Sequence, residues 1–114
     1  MPENISYDDF ARLDIRIGTV VAAEHVSGTD KLIKCTVDFG DPPAGGGERT
    51  IVSGIAEWKK PEELVGRQFP YVVNLAPRTL RGVESQGMLL AASDEHGVAL
   101  LDPERVVPAG TRLR

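Results

Sequence analysis

At 114 residues the chain has room for one domain with its own core, and a composition 41% hydrophobic and 26% charged excludes wholesale disorder. A net charge of −4 excludes a general polyanion coat, which needs a basic surface. No apolar run approaches the roughly 20 residues of a membrane-spanning helix, MPENISYDDF is too acidic for a signal peptide, and the single cysteine, Cys35, cannot form an internal disulfide, so the expected location is the cytoplasm with no membrane association.

In chain order, SYDDFARL (6–13) opens with Ser6 and carries Asp9 three residues on, the spacing of a capping box for one or two helical turns. Leu13, Ile15 and Ile17 then alternate with polar residues, the period of two of a strand with one buried face. The phase slips after Gly18, which predicts a bend or bulge there. Ile33, Cys35, Val37 and Phe39 alternate with Lys34, Thr36 and Asp38 in a second strand. The Pro/Gly-rich DPPAGGGE (41–48) joins it to the β-branched RTIVSGIA (49–56). KKPEELVGR reads as one short helix, with Pro61 at its first position, Glu62 and Glu63 at the positive end of the dipole, and Gly66 at the stop. Phe69, Tyr71, Val73 and Leu75 then share the buried face of a fourth strand, with Asn74 opposite. A turn at Pro77 leads to a fifth strand over Gly87–Ala92, and GVALLDP (97–103) makes a short sixth.

No internal repeat or linker divides the chain, so residues 1–114 are expected to be a single domain. Three strands, a short helix between strands 3 and 4, then further strands is the order of the OB-fold, an all-β, five-stranded antiparallel Greek-key barrel that binds oligonucleotides or oligosaccharides. At the level of pattern, a β-sandwich or an SH3-like barrel stays open.

Catalytic and metal chemistry find little support. The triple glycine 45–47 is followed by a strand and lacks the Lys-Ser/Thr of a phosphate loop, so a hairpin turn accounts for it. His25, His96 and Cys35 have no ligand spacing, which predicts no metal and no cofactor. Ser53, His25 and Asp38 lack a nucleophile elbow, and the paired acids sit at turns or termini.

A polar set at strand ends remains: Lys31, Lys34, Ser53, Asn74, Arg78, Arg81, Ser85 and Gln86, with Met88 beside them. Each has a structural explanation alone. Asn74 can cap a turn, the arginines can be solvated, and Met88 can be core. Jointly they combine phosphate-positioning cations with groups able to hydrogen-bond bases or riboses. Local charge agrees, because Lys59, Lys60, Arg67, Arg78 and Arg81 outnumber Glu57, Glu62 and Glu63, whereas Glu3, Asp8, Asp9 and Asp14 face only Arg12. Aromatics are 5% of the chain, and only Trp58, beside Lys59 and Lys60, is placed to stack a base, so a structured RNA fits better than a single strand.

The segments DFARLDIRIGTVVAAEHVSGTDKLIKCTVDFG, RTIVSGIAEWKKPEELVGR and VVNLAPRTLRGVESQGMLLAA resemble the tRNA-binding domain family, from Asp9 to Thr111. The D-K-L, I-V-S-G-I, N-L-x-P-R and G-x-x-S-Q-G-M-L-L-A motifs carry the likeness. It implies an OB barrel that binds the L-shaped tRNA largely without regard to isoacceptor, through the nine residues above. It adds a homodimer formed by Tyr7 to Leu13 and roughly Leu100 to Leu113, and an aminoacyl-tRNA synthetase as a candidate partner. The chain departs from the family in a glycine-rich insert at Ala44–Gly47 and in its acidity, which puts affinity in question more than mode. The related CsaA-type proteins, chaperone-like in protein export, are the alternative. They lack the S-Q-G-M run and differ at I-V-S-G-I, both intact here.

Overall fold

The computed structural model describes residues 3–41 and 46–114. Helix α1 (Tyr7–Ala11) is followed by strands β1 (Ile15–His25), β2 (Ile33–Asp38), β3 (Glu48–Ser53) and β4 (Gln68–Val72), with a 3-10 turn at Pro61–Glu63 between β3 and β4. The chain continues through β5 (Arg78–Leu80), β6 (Val83–Ser85), β7 (Met88–Leu89), β8 (Ala91–Asp94) and β9 (Gly97–Leu100). The antiparallel sheet β3-β2-β1-β4-β7 curls into a nearly closed OB-type barrel, with β5–β6 and β8–β9 as separate hairpins.

Strand β1 is the hinge of this architecture. Its first half, Ile15–Thr19, pairs with β4, and its second half, Thr19–His25, pairs with β2. To serve both neighbours it must bend, and the register slips between Val20 and Ala22, so the bulge lies at Val21 rather than just after Gly18. Gly18 has a different cause. A Cβ there would overlap Val37 and Phe39, so glycine is what allows β2 to close against β1.

The core lies inside the barrel. Ile33, Cys35 and Val37 along β2 and Phe39 just past its end are buried in alternation, and Phe39 meets Tyr71 edge-on with ring centroids 5.4 Å apart. Burial drives the Cys35 thiol pKa up to about 11 and raises that of Tyr71 still further, because the charged forms lose their hydration. Strand β4 is buried at all five positions, since both its faces are covered. It ends at Val72, after which the chain leaves the sheet. Leu75 is therefore 43% exposed rather than part of the core face. Leu13 precedes β1 and is 39% exposed. The helix start is as expected, with Ser6 Oγ accepting from the Asp9 N–H at 3.1 Å and Asp9 accepting from the Ser6 N–H at 3.4 Å. Half of the 41–48 connection, residues 42–45, falls outside the described residues. Its far end is closed by the Gly47 N–H donating to the Gly40 carbonyl at 2.7 Å.

Candidate nucleic-acid interface

Arg78, which ends the N-L-x-P-R segment, and Arg81 stand on a hairpin that the sequence pattern did not show. Strands β5 and β6 pair Arg78 with Ser85 and Leu80 with Val83, which leaves Arg81-Gly82 as a two-residue turn. Toward the turn of this hairpin an open cleft of about 330 Å³ is lined by Arg81, Val83 and Lys34, with Glu24, His25 and Ser27 completing its wall. Toward its base a slot of about 60 Å³ is lined by Arg78, Leu80, Ser85 and Met88, together with Val52 and Leu75. Lys34 and Val52 face each other in the β2–β3 register, so cleft and slot adjoin. Met88 is 44% exposed in β7 and forms part of the slot wall.

Ser85 and Gln86 are both tied into the edge of the barrel. The five-stranded sheet ends at β3 on one side and β7 on the other, and a barrel must satisfy the outer N–H groups of β3. Ser85 Oγ accepts from the Val52 N–H at 2.9 Å and donates to the Gly87 carbonyl at 3.1 Å. Gln86 Oε1 accepts from the Thr50 N–H at 3.0 Å, and the Gln86 N–H donates to the Thr50 carbonyl at 2.8 Å. Two side chains thus stand in for a missing length of strand. Ser85 is 5% exposed, and its hydroxyl lies in a seam that closes the barrel. Gln86 is exposed, and only its Oε1 is tied to the seam.

Asn74 is exposed and is also held by main-chain partners. Its Oδ1 accepts from the Asp14 N–H at 2.8 Å and its Nδ2 donates to the Arg12 carbonyl at 2.7 Å, so the amide holds the segment that leads into β1. Its partners lie sixty residues away, which explains why sequence spacing could not place them. Ser53 ends β3 opposite Ile33, and Lys31, exposed two residues before Ile33, accepts from the Ala56 N–H through its carbonyl. Both sit at the β2–β3 end of the barrel, outside the cleft and the slot. Trp58 is 46% exposed and lies against Gly97 of the β8–β9 turn, where a Cβ would overlap its ring.

Two residues of the site escaped the sequence pattern. Arg49 donates to the Val73 carbonyl at 2.6 Å and the Gln86 carbonyl at 3.4 Å, tying β3 to both sides of the seam. Glu24 stands directly opposite Lys34 in the β1–β2 register and pairs with it at 2.9 Å. A cross-strand acid facing a predicted phosphate contact was the available signal.

Residues 15–112 match the model of the family described as a putative tRNA binding domain. The chain belongs to this family. Among solved structures, the tRNA-binding domain chain is similar to a MetRS-related protein from Pyrococcus horikoshii, with TM-score 0.90 and 46% identity over 99% of this chain and 100% of that one. It is also similar to the chaperone CsaA from Bacillus anthracis, with TM-score 0.86 and 32% identity over 98% and 100% of the two chains. The methionine–tRNA ligase of Deinococcus radiodurans is 52% identical over 111 residues, which is 96% of this chain and 16% of that protein. The chain therefore spans about one-sixth of the ligases that it matches.

Proposed function

We propose that this chain is a single, non-catalytic OB-fold domain that binds structured tRNA in the cytoplasm, without isoacceptor specificity, as a homodimer. The observation that carries the reading is the adjacency of cleft and slot along the β5–β6 hairpin, which brings Lys34, Arg78, Arg81 and Met88 together around it. Cations there position phosphates, Met88 and Leu75 give an apolar surface for a base or ribose, and exposed Gln86 borders them. Lys31 and Ser53 extend the face along the β2–β3 end, while Ser85 and Asn74 hold it in shape.

Self-association has its own support. Helix α1 has no buried residue, Tyr7 is 73% exposed, and Tyr7, Phe10, Leu13, Arg112 and Leu113 line an open cavity of about 370 Å³. The two terminal segments already run together. The Leu113 N–H donates to the Ile15 carbonyl at 2.8 Å, and Arg112 pairs with Asp14 at 3.8 Å. A second copy presenting the same apolar face would cover this surface. An aminoacyl-tRNA synthetase is the natural protein partner for such a module, given its relatives.

The test is a salt titration of tRNA affinity with light scattering on the same samples. The expected result is a dimer whose log affinity falls with log salt by roughly 0.7–0.9 per phosphate contact. A salt-independent interaction displaced by unfolded polypeptide would refute it and favour the chaperone-like alternative of the CsaA proteins.

A further inference from the structure

Arg81 is the one non-glycine residue with positive φ among the described residues, at 51°, and Gly82 follows at 81°. Two left-handed residues in a two-residue hairpin define the turn that Asn-Gly or Asp-Gly makes with least strain. Arginine gains nothing there as a turn former, because its Cβ crowds the backbone and its side chain makes no local turn hydrogen bond. Strain retained at one exposed position points to the side chain rather than to the turn. What that side chain reaches is the cleft it shares with Lys34, where Lys34 is held 2.9 Å from Glu24.

Resting on the tRNA-binding reading above, we infer that this cleft is a phosphodiester subsite in which Arg81 and Lys34 hold the phosphate and Glu24 is the resident counter-anion that the phosphate displaces. The strained turn fixes the height at which the Arg81 guanidinium enters the cleft. Glu24 opposes occupancy twice, by neutralising Lys34 and by repelling the incoming phosphate. A single weak anion has little advantage over a carboxylate already in place. A polyanion held at several points along the same face has that advantage, so Glu24 selects for an extended backbone over isolated anions. An exposed pair of this kind contributes about 0.2–1 kcal/mol, which corresponds to a factor of up to about five in affinity when Lys34 is released from it.

Two probes applied to the full chain test the cleft and the tRNA reading separately. Inorganic pyrophosphate, followed by amide chemical shifts, is expected to move Gly82, His25 and Ser27 in wild type and to bind about two- to fivefold more tightly to Glu24→Gln. It should leave these amides unmoved in Arg81→Asn, a variant that melts no lower than wild type because asparagine suits the turn. With tRNA, Glu24→Gln gains a similar factor at 50 mM salt. Arg81→Asn loses about threefold less affinity than wild type between 50 and 200 mM salt, the signature of one phosphate contact removed at a slope of 0.7–0.9. Pyrophosphate shifts that are absent in wild type, or undiminished in Arg81→Asn, overturn the inference. So does tRNA affinity equal in all three proteins. Failure of every protein to bind tRNA, with the pyrophosphate response intact, removes the tRNA reading and leaves an anion cleft in place.

Discussion

Replacing Ser85 by alanine separates a residue that shapes the interface from one that touches the ligand. The substitution removes the acceptor of the Val52 N–H at 2.9 Å and the donor to the Gly87 carbonyl at 3.1 Å. Val52 is 6% exposed and Ser85 5%, so water has little access to the orphaned N–H. An unsatisfied buried donor costs about 1–3 kcal/mol, and we take about 2 kcal/mol for the pair of lost bonds. In urea this moves the midpoint down by about 1–2 M with an unchanged slope, and in a thermal melt it lowers Tm by roughly 6–12 °C. Measured well below that melting temperature, tRNA affinity should change by less than about threefold, because the hydroxyl faces the barrel seam. A midpoint within about 0.3 M of wild type would show that the seam tolerates the loss. An affinity drop of tenfold or more in a fully folded protein would place the hydroxyl on the RNA.

Gln86→Leu removes the acceptor of the Thr50 N–H, but this position is exposed and water can replace the amide, so the expected cost is below about 1 kcal/mol by urea denaturation. Asn74→Ala frees the segment before β1. Hydrogen exchange at the Asp14 amide should accelerate by about tenfold, and the dimer should dissociate at higher protein concentration in light scattering. Arg78→Ala, at an exposed strand position, should leave stability within about 0.5 kcal/mol and reduce the salt slope of tRNA binding by about 0.7–0.9. Cys35→Val should flatten the alkaline limb of the stability curve. The folded thiol ionises near pH 11 and the unfolded one near 9, so the unfolded chain loses its proton first. Wild type therefore loses about 2–3 kcal/mol between these values that the variant keeps, checked by denaturation midpoints at pH 8 and pH 11.

Local periodicity made the inner faces of the barrel legible. The alternation Ile33, Cys35, Val37, Phe39 is buried as read, and the Ser6–Asp9 spacing forms the box it predicts. The misplacements share one cause, which is geometry set by distant strands. The bulge falls at Val21 because β1 must turn from β4 to β2 there, which no residue near Gly18 announces. The β5–β6 hairpin was hidden because its strands are three residues long and its turn is Arg-Gly rather than Asn-Gly. Leu75 fits the period of β4 but lies beyond its end. Lys34, Arg78 and Arg81 stand out in the sequence by type and spacing, and the fold sets them around the cleft and slot. The partners that fix their surroundings, Glu24 across the β1–β2 ladder and Arg49 across the seam, depend on pairings that only the folded chain supplies.

The S-Q-G-M run therefore has two jobs that share one geometry. A barrel closed by a continuous backbone ladder would leave no room between β3 and β6 for a slot. A barrel left open there would expose the N–H groups of Thr50 and Val52 and let the β5–β6 hairpin drift. Closing the seam with the Ser85 hydroxyl and the Gln86 amide satisfies both donors while keeping the strands apart, and Gly87 permits it because a Cβ there would press on Ile51 and on the Val72 carbonyl. The hairpin is anchored at the Ser85 end and carries Arg81 at its free turn, so rigidity at the seam becomes accuracy at the cleft. On the reading proposed above, binding through a few cations held in register does not require a basic surface, which reconciles that reading with a net charge of −4.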